Sequence, residues 1–190
     1  PAFLAYLDRD VIWVNSLVDR IVSQPIEPAG AVAEPYALWA IEDQPGLVPP
    51  CEHAAVQVVP SLAQIEALKL FVLNLGHTVL ADRWIAAGRP DGVCVRHVMQ
   101  DAAEFAHLNQ ILTTEVEPAF SAAGQGGAYK DYLRTTLDRL ANPDLDHKIA
   151  DIAQNHAQKV ARRIQPLLDY ARAQGDDSAK PILTAIVARN

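Results

Sequence analysis

Apolar residues are densest over 60–84, PSLAQIEALKLFVLNLGHTVLADRW. Pro60 ends whatever precedes it, and Ser61 followed by Gln64 is a capping-box signature, so a helix is expected to start near Leu62. Leu68, Leu70, Phe71, Val72, Leu73, Leu75, Val79 and Leu80 cover essentially every direction around its axis, the pattern of a buried helix. Before it, RDVIWVNSLVDRIV at 9–22 reads as a strand leaving into a turn at Pro25, Pro28 and Gly30. PYALWAIED at 35–43 reads as a second strand and QVVP at 57–60 as a short third, with the Pro-rich 44–50 as a loop between them.

From residue 61 onward only helices are expected. GRPDG at 88–92 is a turn. Asp101 with Glu104 opens a helix that reaches Glu117 before Pro118 disturbs it. The glycine cluster AAGQGGAY at 122–129 follows a helical stretch, so it reads as a helix terminator and loop, not a phosphate cradle. Tyr129, Tyr132, Leu133, Leu137 and Leu140 form one helical face, and Asn142-Pro143 restarts a helix carrying Ile149, Ile152, Val160 and Ile164 to about Pro166. A short helix follows Pro181. The expected division is 1–59 with short strands and 60–190 all helical.

Into the central apolar cylinder the sequence inserts Lys69, Asn74 and His77, at about 0°, 140° and 80° on an ideal helix, one broad flank. Burying an ammonium, an amide and an imidazole together is costly unless each finds a partner. Lys69 can snorkel to solvent while Asn74 and His77 are satisfied in the core; alternatively, the three line a polar pocket. Carbonyl/alcohol interconversion would need this set. A lysine desolvated in a pocket can exchange a proton near neutral pH, and an amide and an imidazole N–H can hold an oxygen gaining negative charge.

Farther on, Lys159, Arg162 and Arg163 lie three and four residues apart, suited to a shared carboxylate or phosphate or equally to a solvated basic stripe near a helix C-terminus. Of Asn155 and His156, one turn earlier, only one is expected to face the same cleft.

Composition narrows the partners. Half of the 190 residues are apolar, enough for a core. A net charge of −7 argues against nucleic acid and against an anionic membrane surface. Cys51 and Cys94 show no framework spacing, as in a reduced cytoplasmic protein. No run of eighteen apolar residues suggests a membrane span. His53, His97 and His107 have no partner at ligand spacing, so no metal is expected.

KLFVLNLGH resembles the catalytic helix of the mannitol dehydrogenase family, the long-chain polyol-specific dehydrogenases, in which a Lys, four residues, Asn, two residues and His form the catalytic set. NSLVDRIV at 15–22 resembles the family's segment between its two domains, and DRLANPDLDHKIADIAQNHAQK at 138–159 is similar to its C-terminal "F-x-N-P" helix entry. The resemblance implies a mainly α, multi-helical domain like the C-terminal domain of 6-phosphogluconate dehydrogenase, with a small N-terminal β portion left from a Rossmann-type junction.

It also implies Lys69, Asn74 and His77 as catalytic, Asp19 and Lys159 as substrate contacts with Arg163 and Asn155 beside them, and Glu66 as a proton relay, a surface glutamate being the alternative. Without a G-x-G-x-x-G, the chain is expected to be a substrate-and-catalysis domain that binds NAD or NADP poorly alone and pairs with an N-terminal Rossmann domain. An arginine common in the mannitol 2-dehydrogenase branch is Asp151 here. D-I-x-x-N-x-x-x-K-x-x-x-R at 151–163 is more similar to the tagaturonate-reductase branch, whereas KLFVLNLGH is closer to the mannitol-1-phosphate branch; both permit an anionic substrate. The competing reading is a helical binding or assembly module whose polar residues are only structural contacts.

Overall fold

The computed structural model describes residues 2–190. An N-terminal helix, α1 (Ala2–Asp10), is followed by five strands: β1 (Ser16–Asp19), β2 (Val22–Ile26), β3 (Gly30–Ala33), β4 (Leu38–Glu42) and β5 (Val56–Val59). β4 is central in a three-stranded sheet, antiparallel to β1 and parallel to β5, while β2 and β3 form a separate hairpin.

The strand expected over 9–22 is therefore divided. Residues up to Asp10 are helical, with no side chain buried, and pairing along β1 stops at Asp19. Two residues on, Ile21 N–H donates to the Glu34 carboxylate at 2.6 Å and Ile21 O accepts from Glu34 N–H at 3.1 Å, so beyond Asp19 the chain pairs toward the β2–β3 hairpin. The strands expected at 35–43 and 57–60 match β4 and β5, whereas the β2–β3 hairpin falls where only a turn was expected.

The central helix runs from Ala63 to Ala86 in three parts: α2 (Ala63–Leu68), a π-helical stretch Lys69–Asn74, and α3 (Leu75–Ala86). Ser61 Oγ accepts from Ala63 N–H at 3.3 Å, but the expected capping box with Gln64 does not form, because α2 is capped one residue later, at Leu62, whose side chain makes no cap hydrogen bond. Phe71, Val72 and Leu73 are buried within the π stretch, and Leu75 through Asp82 are all buried in α3. Phe71 packs against Phe120 and Tyr170, with ring centroids 6.4 and 5.3 Å apart. Offset and edge-on ring pairs of this kind add about 0.5–1.5 kcal/mol beyond the area they bury.

Around this axis pack α4 (Val95–Gln100), α5 (Ala102–Ile111), a second π stretch Leu112–Val116, α6 (Glu117–Ala122) and α7 (Gly126–Leu140), then α8 (Ile149–Ile152), α9 (His156–Arg163), α10 (Gln165–Ala173) and α11 (Pro181–Arg189). Asp101 opens α5 as expected, its carboxylate accepting from the Ala103 and Glu104 amides. Pro118 does not stop the chain at 117. The π stretch before it changes the hydrogen-bond register where proline offers no N–H, and the helix continues to Ala122. Glu115 in that stretch is buried and accepts from the Ile182 and Leu183 amides at 2.9 Å, capping α11.

The helix expected from Asn142-Pro143 starts later, at Ile149, because residues 141–148 form a loop tied to the start of α4. Val95 N–H donates to His147 O at 2.9 Å, and Ile149 N–H donates to Val93 O at 3.0 Å. A second break comes at Asn155, whose φ of +54° is left-handed, a conformation asparagine tolerates better than most residues. The long helix of the sequence pattern is thus two short ones, α8 and α9, separated by the left-handed Asn155.

Candidate active site

A cleft of about 390 Å³ opens where the β1–β2 junction, the central helix, the 141–148 loop and α8–α9 converge. Lys69, Asn74 and His77 all line it, with Lys159 and Arg163 from α9. The π stretch explains why three residues spread over 140° of an ideal helix meet there. A π-turn takes up one extra residue, which sets everything beyond it back by about one 100° step. Asn74 and His77 then fall at about 40° and −20° from Lys69, so the broad flank becomes a narrow one.

Each side chain sits differently from the others. Lys69 is half-buried and its Nζ donates to the carbonyl of Val18 at 2.5 Å, so the apolar run does not enclose it as the pattern implied. The Asn74 side-chain amide makes no hydrogen bond among the described residues, while its backbone carbonyl accepts from Thr78 Oγ1 at 2.9 Å and from Arg163 at 3.3 Å. His77 is buried and its Nε2 has no hydrogen-bond partner among the described residues. Burial first, then His147, Arg163, Arg139 and Lys159, hold its pKa well below the ordinary value, so it is a neutral imidazole with one N–H to give.

On the opposite wall Lys159 Nζ donates to Ile152 O at 2.6 Å, and its pKa is lowered by burial and by Arg163. Arg163 reaches across to Thr78 Oγ1 at 3.3 Å, tying α9 to the helix that carries the lysine. Arg20, not foreseen from sequence, closes the strand side, its Nε donating to Glu34 O at 3.0 Å. Four cationic side chains (Arg20, Lys69, Lys159, Arg163) and one carboxylate (Asp151) line the cleft. That local sign opposes the −7 of the whole chain.

Three expected site residues lie elsewhere. Asp19 is fully buried away from the cleft: Arg139 donates to it at 2.8 and 3.1 Å, and the Tyr132 hydroxyl at 2.6 Å. Arg139 also binds Glu34 at 2.8 Å and lies 4.0 Å from the Tyr36 ring. Burial alone would lower the Arg139 pKa, and the two carboxylates reverse this and raise it. Arg139, 120 residues away, and Tyr132 occupy the Asp19 oxygens, so in this structure the carboxylate serves the protein's own buried charge network. Asn155 is exposed at the left-handed turn, and Glu66 is exposed one turn before Lys69 without a hydrogen bond to it among the described residues. His156, the alternative to Asn155, faces Asp82 at 3.3 Å.

His147, like Arg20, was not foreseen from sequence. It lines the cleft from the 141–148 loop with its ring edge-on to His77, centroids 4.9 Å apart. Its only sequence signal is a position inside the segment 138–159 that carries the family likeness. Among the described residues no group of three His, Cys, Asp or Glu side chains is placed to hold a metal, and no helix is long and apolar enough to cross a membrane.

The fold of a helical domain with a small strand-bearing portion is shared with solved dehydrogenases. A substrate-free D-sorbitol dehydrogenase superposes with a TM-score of 0.74 at 24% identity over 93% of this chain and 39% of its own. Pseudomonas fluorescens mannitol 2-dehydrogenase, in a ternary complex with NAD and D-mannitol, superposes with a TM-score of 0.72 at 20% identity over 97% of this chain and 40% of its own. Residues 61–189 match the model of the mannitol dehydrogenase C-terminal domain, and the chain belongs to that family. Among curated relatives, mannitol dehydrogenase 2 of Saccharomyces cerevisiae is 25% identical over 98% of this chain and 39% of the relative. Mannitol-1-phosphate 5-dehydrogenase of Geobacillus thermodenitrificans is 28% identical over 86% and 43%. The chain thus spans about two fifths of the relatives it matches.

Proposed function

We propose that this chain is the catalytic, substrate-binding part of a metal-independent NAD(P)-dependent dehydrogenase. It would interconvert a sugar alcohol, sugar-alcohol phosphate or aldonate with the corresponding keto sugar. The observation that carries the reading is the meeting of Lys69, Asn74 and His77 on one narrow face of the central helix, inside one cleft.

In ketone reduction the substrate oxygen sits between the Asn74 amide and the neutral His77 N–H, donors that grow stronger as the oxygen gains charge. Lys69, at the same cleft, gives that oxygen its proton, and in alcohol oxidation it takes the proton back. Lys159, Arg163 and Arg20 favour an anionic end on the substrate, a carboxylate or phosphate, by two guanidinium forks and a point charge. Asp19 keeps a supporting place in this reading by holding the strand that leads to Val18 and Arg20. Glu66 is a relay for the lysine proton and Asn155 shapes the approach of α9.

The nicotinamide cofactor implied by the family does not find a phosphate cradle in this chain. Among the described residues no strand passes through a glycine-rich turn into a helix N-terminus, and the 124–127 glycines join α6 to α7. Its hydride chemistry is assigned to a preceding Rossmann domain outside this chain. Supporting a lost neighbour, the exposed large apolar side chains among the described residues all fall between Phe3 and Val58, on the strand-bearing portion. The division at residue 60 and a cytoplasmic location belong to the same proposal.

The test is oxidation of NADH and NADPH by the full-length protein with fructose, fructose 6-phosphate, fructuronate and tagaturonate. Turnover of one or more supports the reading; a folded, cofactor-binding protein that turns over none of them and no other polyol or keto sugar refutes it.

A further inference from the structure

Two imidazoles meet in the cleft wall with a shared deficit. His77 Nε2 and His147 Nδ1 are both buried and both lack a hydrogen-bond partner. The rings stand 4.9 Å apart at 78°, and neither makes a hydrogen bond to any other described group. A buried ring nitrogen left unpaired costs about 1–3 kcal/mol, so two side by side call for an explanation. Each ring's other nitrogen is the one left for the cleft.

We propose that His147 is the positioning residue of His77: its Nδ1–H donates to His77 Nε2 and thereby fixes the His77 proton on Nδ1, where it serves the substrate oxygen. The pairing is made by rotation about χ2, a soft torsion for histidine. The proton on one imidazole nitrogen is set by the bond the other makes, so the pairing dictates both tautomers. His77 then presents a donor to the cleft and His147 presents the lone pair of Nε2. A donor beside an acceptor suits a carbonyl with a hydroxyl on the next carbon, the arrangement of an α-hydroxy ketone. This inference deepens the dehydrogenase reading and rests on it.

The surroundings keep both rings neutral, which the pairing requires. His77 faces His147 on the loop, Arg163 and Lys159 on α9 and Arg139 on α7, and burial is the largest influence on it. His147 faces Lys159, Asp151 and Glu34, and burial again dominates, lowering its pKa. Two neutral imidazoles have one proton each, enough for one donation between them and one into the cleft.

The experiment is carried out on full-length protein labelled with 15N-histidine. Long-range 1H–15N correlation spectra are expected to show His77 protonated at Nδ1, shifting toward Nε2–H in His147→Phe, with the His77 titration midpoint moving to higher pH. Kinetically, His147→Phe is expected to lower kcat/KM by about 10-fold to 100-fold, as loss of an orienting partner does. His147→Asn, whose amide can donate from nearly the same place, is expected to recover most of the loss. An Nε2–H tautomer in the wild type, or a His77 tautomer and midpoint unchanged by His147→Phe, overturns the proposal. Equal kinetic losses in the Phe and Asn variants overturn it as well. If the wild type turns over none of its test substrates, the dehydrogenase reading fails, and the spectra still decide the imidazole pair.

Discussion

Lys69 Nζ donates to the backbone carbonyl of Val18, 2.5 Å away and fifty-one residues earlier in the chain. The bond joins the central helix to the last pairs of β1, so the lysine proposed to move the proton is aimed by a strand as well as by its own helix. Lys69→Ala in the full-length protein is expected to lower kcat by about 100-fold to 10,000-fold, the range for a lost general acid/base. Steady-state rates with the best keto substrate check it, and near-normal turnover removes the proton-transfer role.

Lys159 and Arg163 should separate charged from neutral substrates. Lys159→Ala is expected to raise KM for a carboxylate- or phosphate-bearing substrate by about 10-fold or more, roughly the 1.4 kcal/mol of one charge-assisted contact. KM for a neutral keto sugar should change little. Arg163→Lys should also lower kcat, since Arg163 holds the Asn74 carbonyl and Thr78 as well as facing the cleft. A KM series over both substrate types decides between this and a solvated basic stripe.

Arg139 is expected to matter for stability far more than for turnover. Its guanidinium serves Asp19 and Glu34 in a site with side-chain exposures of 5% and 1%, so Arg139→Ala leaves two carboxylates unpaired. The expected loss is about 3–5 kcal/mol, read as a shifted urea midpoint. Asp19→Asn should be destabilising too, with KM unchanged in whatever fraction stays folded. A raised KM at full stability would return Asp19 to the substrate.

Acid should weaken the fold through His77. Its folded pKa is depressed, so between that value and about 6.5, the ordinary histidine value, the unfolded chain binds the proton more readily. Stability is therefore complete above about pH 6.5 and declines as pH falls below it. His77→Phe should flatten that part of the profile in urea unfolding run from pH 7.5 to 5. An equally steep decline in the variant would place the acid sensitivity elsewhere, with His147 the next to replace.

Much of this protein is written locally. The helical period over 60–84, the start at Asp101, the terminating glycines, and the strands at β4 and β5 follow from neighbours within a few residues, and so does the Lys69–Asn74–His77 spacing. What the tertiary structure decided depends on partners that no local pattern contains. The π stretch sets Phe71 against Phe120 and Tyr170, and the same offset draws a 140° spread of polar residues onto one face of the cleft. Asp19 is claimed by an arginine 120 residues away, and the helix expected from Asn142-Pro143 is delayed to Ile149 because its loop pairs with the start of α4. That loop delivers His147 to His77, seventy residues apart in sequence and 4.9 Å apart in space. Periodicity records which side of an element is buried; which distant group meets it there is settled only when the whole core closes and every buried charge has found a partner.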